Sequence, residues 1–361
     1  MVVSKQEIHK IIENYDPKKI TIATVCSHSA LQTFYGARQE GFKTLGIAIG
    51  SIPKFYDAFP KAKPDEFLVL NNYAEILDKA DELINKNVIL IPNGSFVEYM
   101  GAETFRDKLK IPTFGNRKVL SWESDRNKQR EWLEGGGVRM PAVIKNPEDI
   151  KNPVIVKYFG AKGGRGFFVA KNKEEFYNKI GSTGQKFTMQ EYILGTRYYP
   201  QFFASPFKRN NAMETKSGSV QLMSIDRRDE TNIDEMYKMG TIEDMRKQGF
   251  VPSFVVTGNV PVVLRESLLP EIFDFAEKTC DKAKELFDGM IGPFCLEGVY
   301  TDQLKFYVFE ISGRIVAGTN PFISGSPYSA LAFDKPMSTG RRIAEEIRYA
   351  ISINKLKEVI S

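Results

Sequence analysis

Residues 153–170 read PVIVKYFGAKGGRGFFVA. Two apolar, β-rich runs, 153–159 and 166–170, flank a loop that carries Gly160, Gly163, Gly164 and Gly166 with Lys162 and Arg165 between them. Glycines let backbone approach a phosphate closely and aim successive N–H groups at it. Lys157 and Lys162 can add point charges, and Arg165 a planar fork of donors. The loop joins strand to strand, so it is not the dinucleotide fingerprint, which opens a helix. GxxxxGK[ST] is also absent. On its own the segment also reads as a glycine-rich hairpin with solvated basic residues.

Working outward, a helix at 173–180 and the run FTMQEYI (187–193) extend this part into antiparallel β with one helix. Upstream, 20–26, 44–49, 66–70 and 87–92 are short buried-strand runs separated by helical stretches such as 29–41 and 73–85. That alternation predicts a parallel α/β sheet, whose ligands gather at the carboxyl ends of strands. A polar amphipathic helix over 121–134 ends at Gly135-Gly136-Gly137. From 197 onward, strand-like runs, a helix at 267–286 and a helix at 336–351 form a larger α+β unit. The expected division is 1–120, an α/β substrate-binding unit; 121–196, a small unit with the glycine-rich flap; and 197–361, a large unit with metal and substrate residues.

The large unit holds a carboxylate pair. Glu297 in FCLEGVY and Glu310 in YVFEISGR lie in apolar strands joined by the turn 301–303, so hairpin pairing places them on one face. Two adjacent carboxylates repel unless something neutralises them, and a hard divalent cation does so while bridging to phosphate. The alternatives are a salt bridge from one of them to Arg314, or two solvated side chains. Polar residues recur at other strand ends: His28 and Ser29 after the first strand, Ser95 after a later one, Arg228 and Glu230 after SVQLMSID, and a polar turn at Thr257-Gly258-Asn259. Each has a bland explanation, a helix cap for Ser29 and a turn for 257–259.

Composition excludes several classes. In 361 residues, 50 Lys+Arg against 45 Asp+Glu leave a net charge of +5, with no dense basic block of the kind that tracks a nucleic acid. Three scattered cysteines and two histidines argue against a disulfide framework, a zinc site or a multi-histidine metal centre. No apolar run approaches the ~18 residues needed to span a bilayer. The charged N-terminus lacks the apolar core of a signal peptide, so the expected location is the cytoplasm.

Taken in order, Lys157, the 162–166 loop, the hinge-like Glu191-Tyr192-Ile193-Leu194-Gly195, Glu297 and Glu310 resemble the ATP-grasp superfamily. The segments TIATVCSHSAL, GSFVEY, PTFGNRKVL, VKYFGAKGGRGFF, DETNID, VTGNVPVV and MIGPFCLEG are similar to the archaeal formate-dependent ligases that formylate AICAR in purine biosynthesis. The resemblance implies an ATP-grasp fold with a Rossmann-like N-terminal domain. It also implies ATP and Mg²⁺, or Mn²⁺ in its place, as cofactors, AICAR and formate as substrates, and a homo-oligomer, trimer or hexamer. His28, Ser95 and Asn259 would contact AICAR, joined by Ser29, Arg228 and Thr257 from the polar strand ends. Residues 146–208 and Glu230 would contact ATP, with Lys157, Lys162, Gly163, Gly164 and Arg165 on the phosphates and Glu191, Tyr192 and Ile193 at the base. Glu297 and Glu310 would hold the metal. His28 stands both as a candidate general base and as a recognition group. The alternative reading is a non-catalytic or altered-specificity paralogue that binds ATP or AICAR.

Overall fold

A computed structural model describes residues 2–158, 166–181, 184–231, 238, 240–248 and 255–361. Lys162, Gly163, Gly164 and Arg165 lie outside the described residues. Three sheets organise the chain.

The first comprises β1 (Thr21–Val25), β2 (Lys43–Ile49), β3 (Glu66–Leu70) and β4 (Val88–Leu90), in the order β3-β2-β1-β4 and all parallel. β1 is buried along its whole length, as an unbroken apolar, β-branched run in a covered parallel sheet requires. Two expected helices are each split. The 73–85 stretch forms Glu75–Asp78 and Ala80–Asn85, and 121–134 falls into Lys118–Glu123 and Arg126–Gly135. The second break has a local cause: Asp125 accepts from the N–H groups of Asn127 (2.8 Å) and Lys128 (3.1 Å), starting a new helix.

The small sheet contains β5 (Val154–Tyr158), β6 (Phe167–Ala170) and β7 (Phe187–Glu191), antiparallel in the order β6-β5-β7. Phe176 of the helix Lys173–Ile180 plugs its core. The chain leaves it through Gly195, where a Cβ would stand 2.0 Å from the Tyr300 carbonyl oxygen, so only glycine fits this crossing.

The large sheet runs β11-β10-β8-β12-β13, with β9 (Met213–Thr215) beside β10. Its strands are β8 (Thr196–Ser205), β10 (Gly218–Glu230), β11 (Val256–Pro261), β12 (Gly292–Tyr300) and β13 (Phe306–Ser312), and their pairings are antiparallel. Thr257-Gly258-Asn259, expected as a turn, is instead strand: Gly258 faces Asp229 and Asn259 faces Arg228 in register. Residues alternate across the sheet with the period of two that strands impose, reset by bulges between Leu222 and Ser224 and between Glu297 and Gly298. Phe202, Ile225, Phe294, Leu296 and Val308 join the core with Ile272, Phe275 and Cys280 of the helix Leu269–Phe287. Trp132 closes that core. It is fully buried, donates its indole N–H to the Thr279 carbonyl at 2.9 Å, and meets Phe287 edge-on.

The 336–361 segment, assigned with the large unit, returns to the first sheet. The helix Thr339–Ser352 crosses the helix Ala30–Gln39 at two glycines. A Cβ on Gly36 would lie 2.3 Å from the Arg341 backbone nitrogen, and one on Gly340 2.3 Å from the Gln32 carbonyl oxygen. Beyond it, Thr113 and Ser361 exchange backbone hydrogen bonds of 3.0 and 2.9 Å, adding a final strand-like pairing beside β4. The buried Val359 and Ile360 explain why the tail docks: they complete a hydrophobic cluster with Ile20, Ile22 and Ile89.

Candidate active site

In the first sheet, β1 and β4 are neighbours, while the chain after β1 crosses to β2 on the other side. That is the topological switch point, where open α/β sheets bind ligands. His28 and Ser29 follow β1, and Gly94 and Ser95 follow β4. The four meet there. The Gly94 N–H donates to His28 Nε2 at 3.1 Å, and Ser95 Oγ donates to Ser27 Oγ at 2.7 Å. Ser29 occupies the first position before the helix Ala30–Gln39, but it is no cap: its φ is +66° and its side chain makes no capping bond. Its hydroxyl instead lies 3.2 Å from His28 Nδ1. A left-handed serine carries a backbone cost of order 1–2 kcal/mol, here placed at the switch-point corner.

A backbone N–H can only donate, so His28 Nε2 accepts and the proton sits on Nδ1. Burial, then the nearby charge of Arg314, pushes the imidazole down to about 4. The ring is therefore neutral at physiological pH with its acceptor nitrogen occupied, an arrangement suited to positioning rather than to taking a proton. The unfolded chain binds the imidazole proton below about pH 6.5 and the folded chain only below about pH 4. Between those values stability falls as pH drops. Between pH 7.5 and 4.5, wild type should lose about 2–3 kcal/mol more than His28→Gln in urea titrations. Equal losses would show that the ring titrates normally.

The open face of the large sheet supplies the floor. In register across β12 and β13, Glu297 stands opposite Glu310. Glu297 is buried and fully engaged. Arg228 Nη1 donates to it at 2.8 Å and Ser312 Oγ at 2.9 Å. Burial raises its carboxyl, but the Arg228 guanidinium outweighs this and holds it below the usual range. Glu310 reaches the solvent of the cleft and, among the described residues, accepts no hydrogen bond. Although its side chain reaches the cleft, desolvation by the protein packed around its carboxyl group, then the charge of Glu297, pushes it up to about 7 despite the pull of Lys157 and Arg228. Two carboxylates held face to face, one without a hydrogen-bond partner, fit a hard divalent cation. A third carboxylate, Glu123, is locked by Arg314 (2.9 Å) and the Gly313 N–H (2.8 Å).

Lys157, on β5, faces this floor, its ammonium 5.8 Å from the centre of the Phe309 ring. Burial lowers its pKa, and Glu310 draws it back up. At the hinge, Glu191 accepts from the Ala142 N–H at 3.1 Å, and the Tyr192 N–H donates to Pro153 O at 2.9 Å; Ile193 follows directly. Glu230, at the end of β10, pairs with Arg197 at 2.6 Å. Thr257 is exposed, its hydroxyl donating to the Asp229 carbonyl at 3.3 Å. Asn259 is half-buried on the floor.

Two arginines have definite partners. Arg314 does not pair with either glutamate of the couple; it pairs with Glu123, because the chain turns after Ser312 and carries Arg314 toward His28. Arg228, expected at the substrate, is committed to Glu297, with its guanidinium 3.7 Å above the Tyr199 ring. Asp226, Gln201 and Glu123 went unread in the sequence. Asp226 carried a usable signal, lying two residues before Arg228 on the same strand face.

Two protein-family profiles match the chain. One is described as "Domain of unknown function (DUF1297)" over residues 171–361, and the other as "Protein of unknown function (DUF1246)" over 22–144. The chain is 58% identical over 360 residues, the full length of both, to 5-formaminoimidazole-4-carboxamide-1-(beta)-D-ribofuranosyl 5'-monophosphate synthetase of Methanothrix thermoacetophila. Its fold matches the crystal structure of the IMP biosynthesis protein PurP from Thermococcus kodakaraensis. The TM-score is 0.71 at 29% identity, covering 94% of this chain and 100% of that one. An ADP complex of N5-carboxyaminoimidazole ribonucleotide synthetase shares the fold alone, with TM-score 0.60 at 13% identity over 92% of this chain and 77% of that one. The architecture is the ATP-grasp fold behind a parallel-sheet N-terminal domain. With that architecture and that full-length identity, the chain belongs to the family of 5-formaminoimidazole-4-carboxamide ribonucleotide synthetases.

Proposed function

We propose that this chain is an ATP-dependent ligase that formylates the 5-amino group of AICAR with formate, releasing ADP and phosphate. The observation that carries the reading is the Glu297–Glu310 pair facing Lys157, with the chain beyond it bridging at Ile315 to Asn93 of the switch-point corner. Formate is a poor acyl donor because its leaving group would be oxide. Transfer of the ATP γ-phosphoryl group to a formate oxygen breaks the bond to ADP and gives formyl phosphate. The AICAR amine then attacks the formyl carbon, phosphate departs with the bonding pair, and the amine proton leaves with it or with solvent. Such transfer needs positioning and charge neutralisation more than covalent help.

Lys157 draws the phosphate oxygens, and Lys162, Gly163, Gly164 and Arg165, outside the described residues, are assigned to cover them. Glu297 and Glu310 would hold Mg²⁺ or Mn²⁺, whose charge would offset that of the phosphates. Glu191, Tyr192 and Ile193 are assigned to the adenine side and Glu230 to the nucleotide. Ser29, Ser95, Thr257 and Asn259 are assigned to the ribonucleotide, with neutral His28 orienting the Gly94 backbone beside it. Exclusion of water protects formyl phosphate.

ADP release by the purified chain, with ATP and Mg²⁺ and each co-substrate omitted in turn, tests this. Release that requires both AICAR and formate is expected. Formate-independent release, or none, would refute the ligase.

A further inference from the structure

Asp226 lies fully buried beneath the cleft floor and uses both carboxylate oxygens. Gln201 Nε2 donates to Oδ1 at 2.7 Å, and Asn259 Nδ2 donates to Oδ2 at 3.0 Å, with Arg228 Nε 4.0 Å from the same Oδ2. Its rotamer has no freedom. The turn Ala317–Phe322 presses on it so closely that a Cβ on Gly318 would fall 2.3 Å from Oδ1. That turn is held in place by Gln32, which donates to Thr319 Oγ1 at 2.6 Å and to Asn320 Oδ1 at 2.9 Å. Gln32 belongs to the helix that follows His28.

An asparagine amide has a donor end and an acceptor end. A carboxylate accepts only, so Asp226 selects the Asn259 nitrogen and turns the carbonyl the other way. Asn259 is half-buried, and the end left over is an acceptor. The geometry points to Asp226 as a positioning residue that fixes the polarity of Asn259, so that the floor offers a hydrogen-bond acceptor and selects a substrate bearing an N–H donor there. On the ligase reading, on which the substrate's identity rests, that donor is the 5-amino or carboxamide group of the ribonucleotide. An analogue with a carbonyl oxygen at that place would meet the Asn259 oxygen and be rejected, since two acceptors cannot pair.

The arrangement makes a reversible prediction. Asp226→Asn permits either amide orientation and should raise KM for the ribonucleotide ~10-fold with KM for ATP and kcat held. Asn259→Asp sets two carboxylates against each other and should lower kcat/KM for the ribonucleotide ~100-fold. The swap, Asp226→Asn with Asn259→Asp, restores one donor-to-carboxylate bond with its direction reversed and again shows an acceptor to the cleft. It should recover to within ~10-fold of wild type. A swap no better than Asn259→Asp in a protein that melts as wild type does, or an unchanged ribonucleotide KM in Asp226→Asn, overturns the proposal.

A readout independent of turnover separates this from the ligase reading. In ¹⁵N-asparagine-labelled protein, the side-chain signal identified by its loss in Asn259→Asp should show one protected N–H proton, and Asp226→Asn should remove that protection. A protected proton in a protein that does not formylate AICAR would sink the ligase and leave the lock. An unprotected one would sink the lock whatever the activity.

Discussion

Glu310→Gln should lower formate-dependent ADP release roughly 10³-fold, about 4 kcal/mol of barrier, while the protein becomes no less stable. The two effects have one origin. Glu310 faces Glu297 across a strand pair and, among the described residues, takes no hydrogen bond. Its pKa is raised, so the folded state holds its proton more tightly than the unfolded state does. Stability is therefore lost as pH rises from the ordinary glutamate range through about 7. A neutral amide removes that repulsion together with an oxygen assigned to the metal. Melting curves at pH 8 should place Glu310→Gln at or above wild type, with turnover gone. Turnover within tenfold of wild type would remove the pair from the reaction. Glu297→Gln is the contrasting case. It also weakens the partner of the buried Arg228, so activity and stability should fall together.

The second large effect concerns stability alone. Glu346 is fully buried between two guanidiniums, with Arg342 Nη1 and Arg209 Nη2 each at 2.6 Å, and it also accepts from Ser205 Oγ. Arg342 is itself 1% exposed, lies 4.2 Å over the Phe203 ring and donates to Gln221 Oε1 at 2.8 Å. Among the described residues, Glu346→Leu leaves these cations with Glu345 as the one carboxylate in reach. Removing one member of a buried ion network costs about 3–5 kcal/mol. Urea unfolding should show that loss, and a change under 1 kcal/mol would mean that the network relaxes into water.

Much of the architecture was legible in the sequence because periodicity records burial. The four runs of the first sheet are largely apolar, whereas bulges between Leu222 and Ser224 and between Glu297 and Gly298 reset the alternation of the large sheet, so counting in steps of two does not give the residues that face the cleft. The Glu297–Glu310 pairing followed from the turn between their strands. What escaped reading depended on partners distant in the chain. Thr257-Gly258-Asn259 has the composition of a turn, and only its registry with Arg228 and Asp229 makes it a strand. Arg314 was read beside the glutamates because it is near them in sequence, but the turn after Ser312 sends it to Glu123 and toward His28. Asp226 looked like the end of an apolar run, and its role emerged only once Asn259, Gln201 and Gly318 were seen around it. The glycine loop, the strongest single signal in the sequence, lies largely outside the described residues.

The return of residues 339–361 to the first sheet bears on how the chain is made. Residues 1–120 leave the ribosome before residues 339–361, so Ile20, Ile22 and Ile89 lack the apolar contact of Val359 and Ile360 until these arrive. Until then a sheet border and the groove at Gly36 stand open. Once closed, the same stitch ties the first sheet to residues 339–361, so the switch-point corner and the floor are expected to melt in one cooperative step rather than as separable modules.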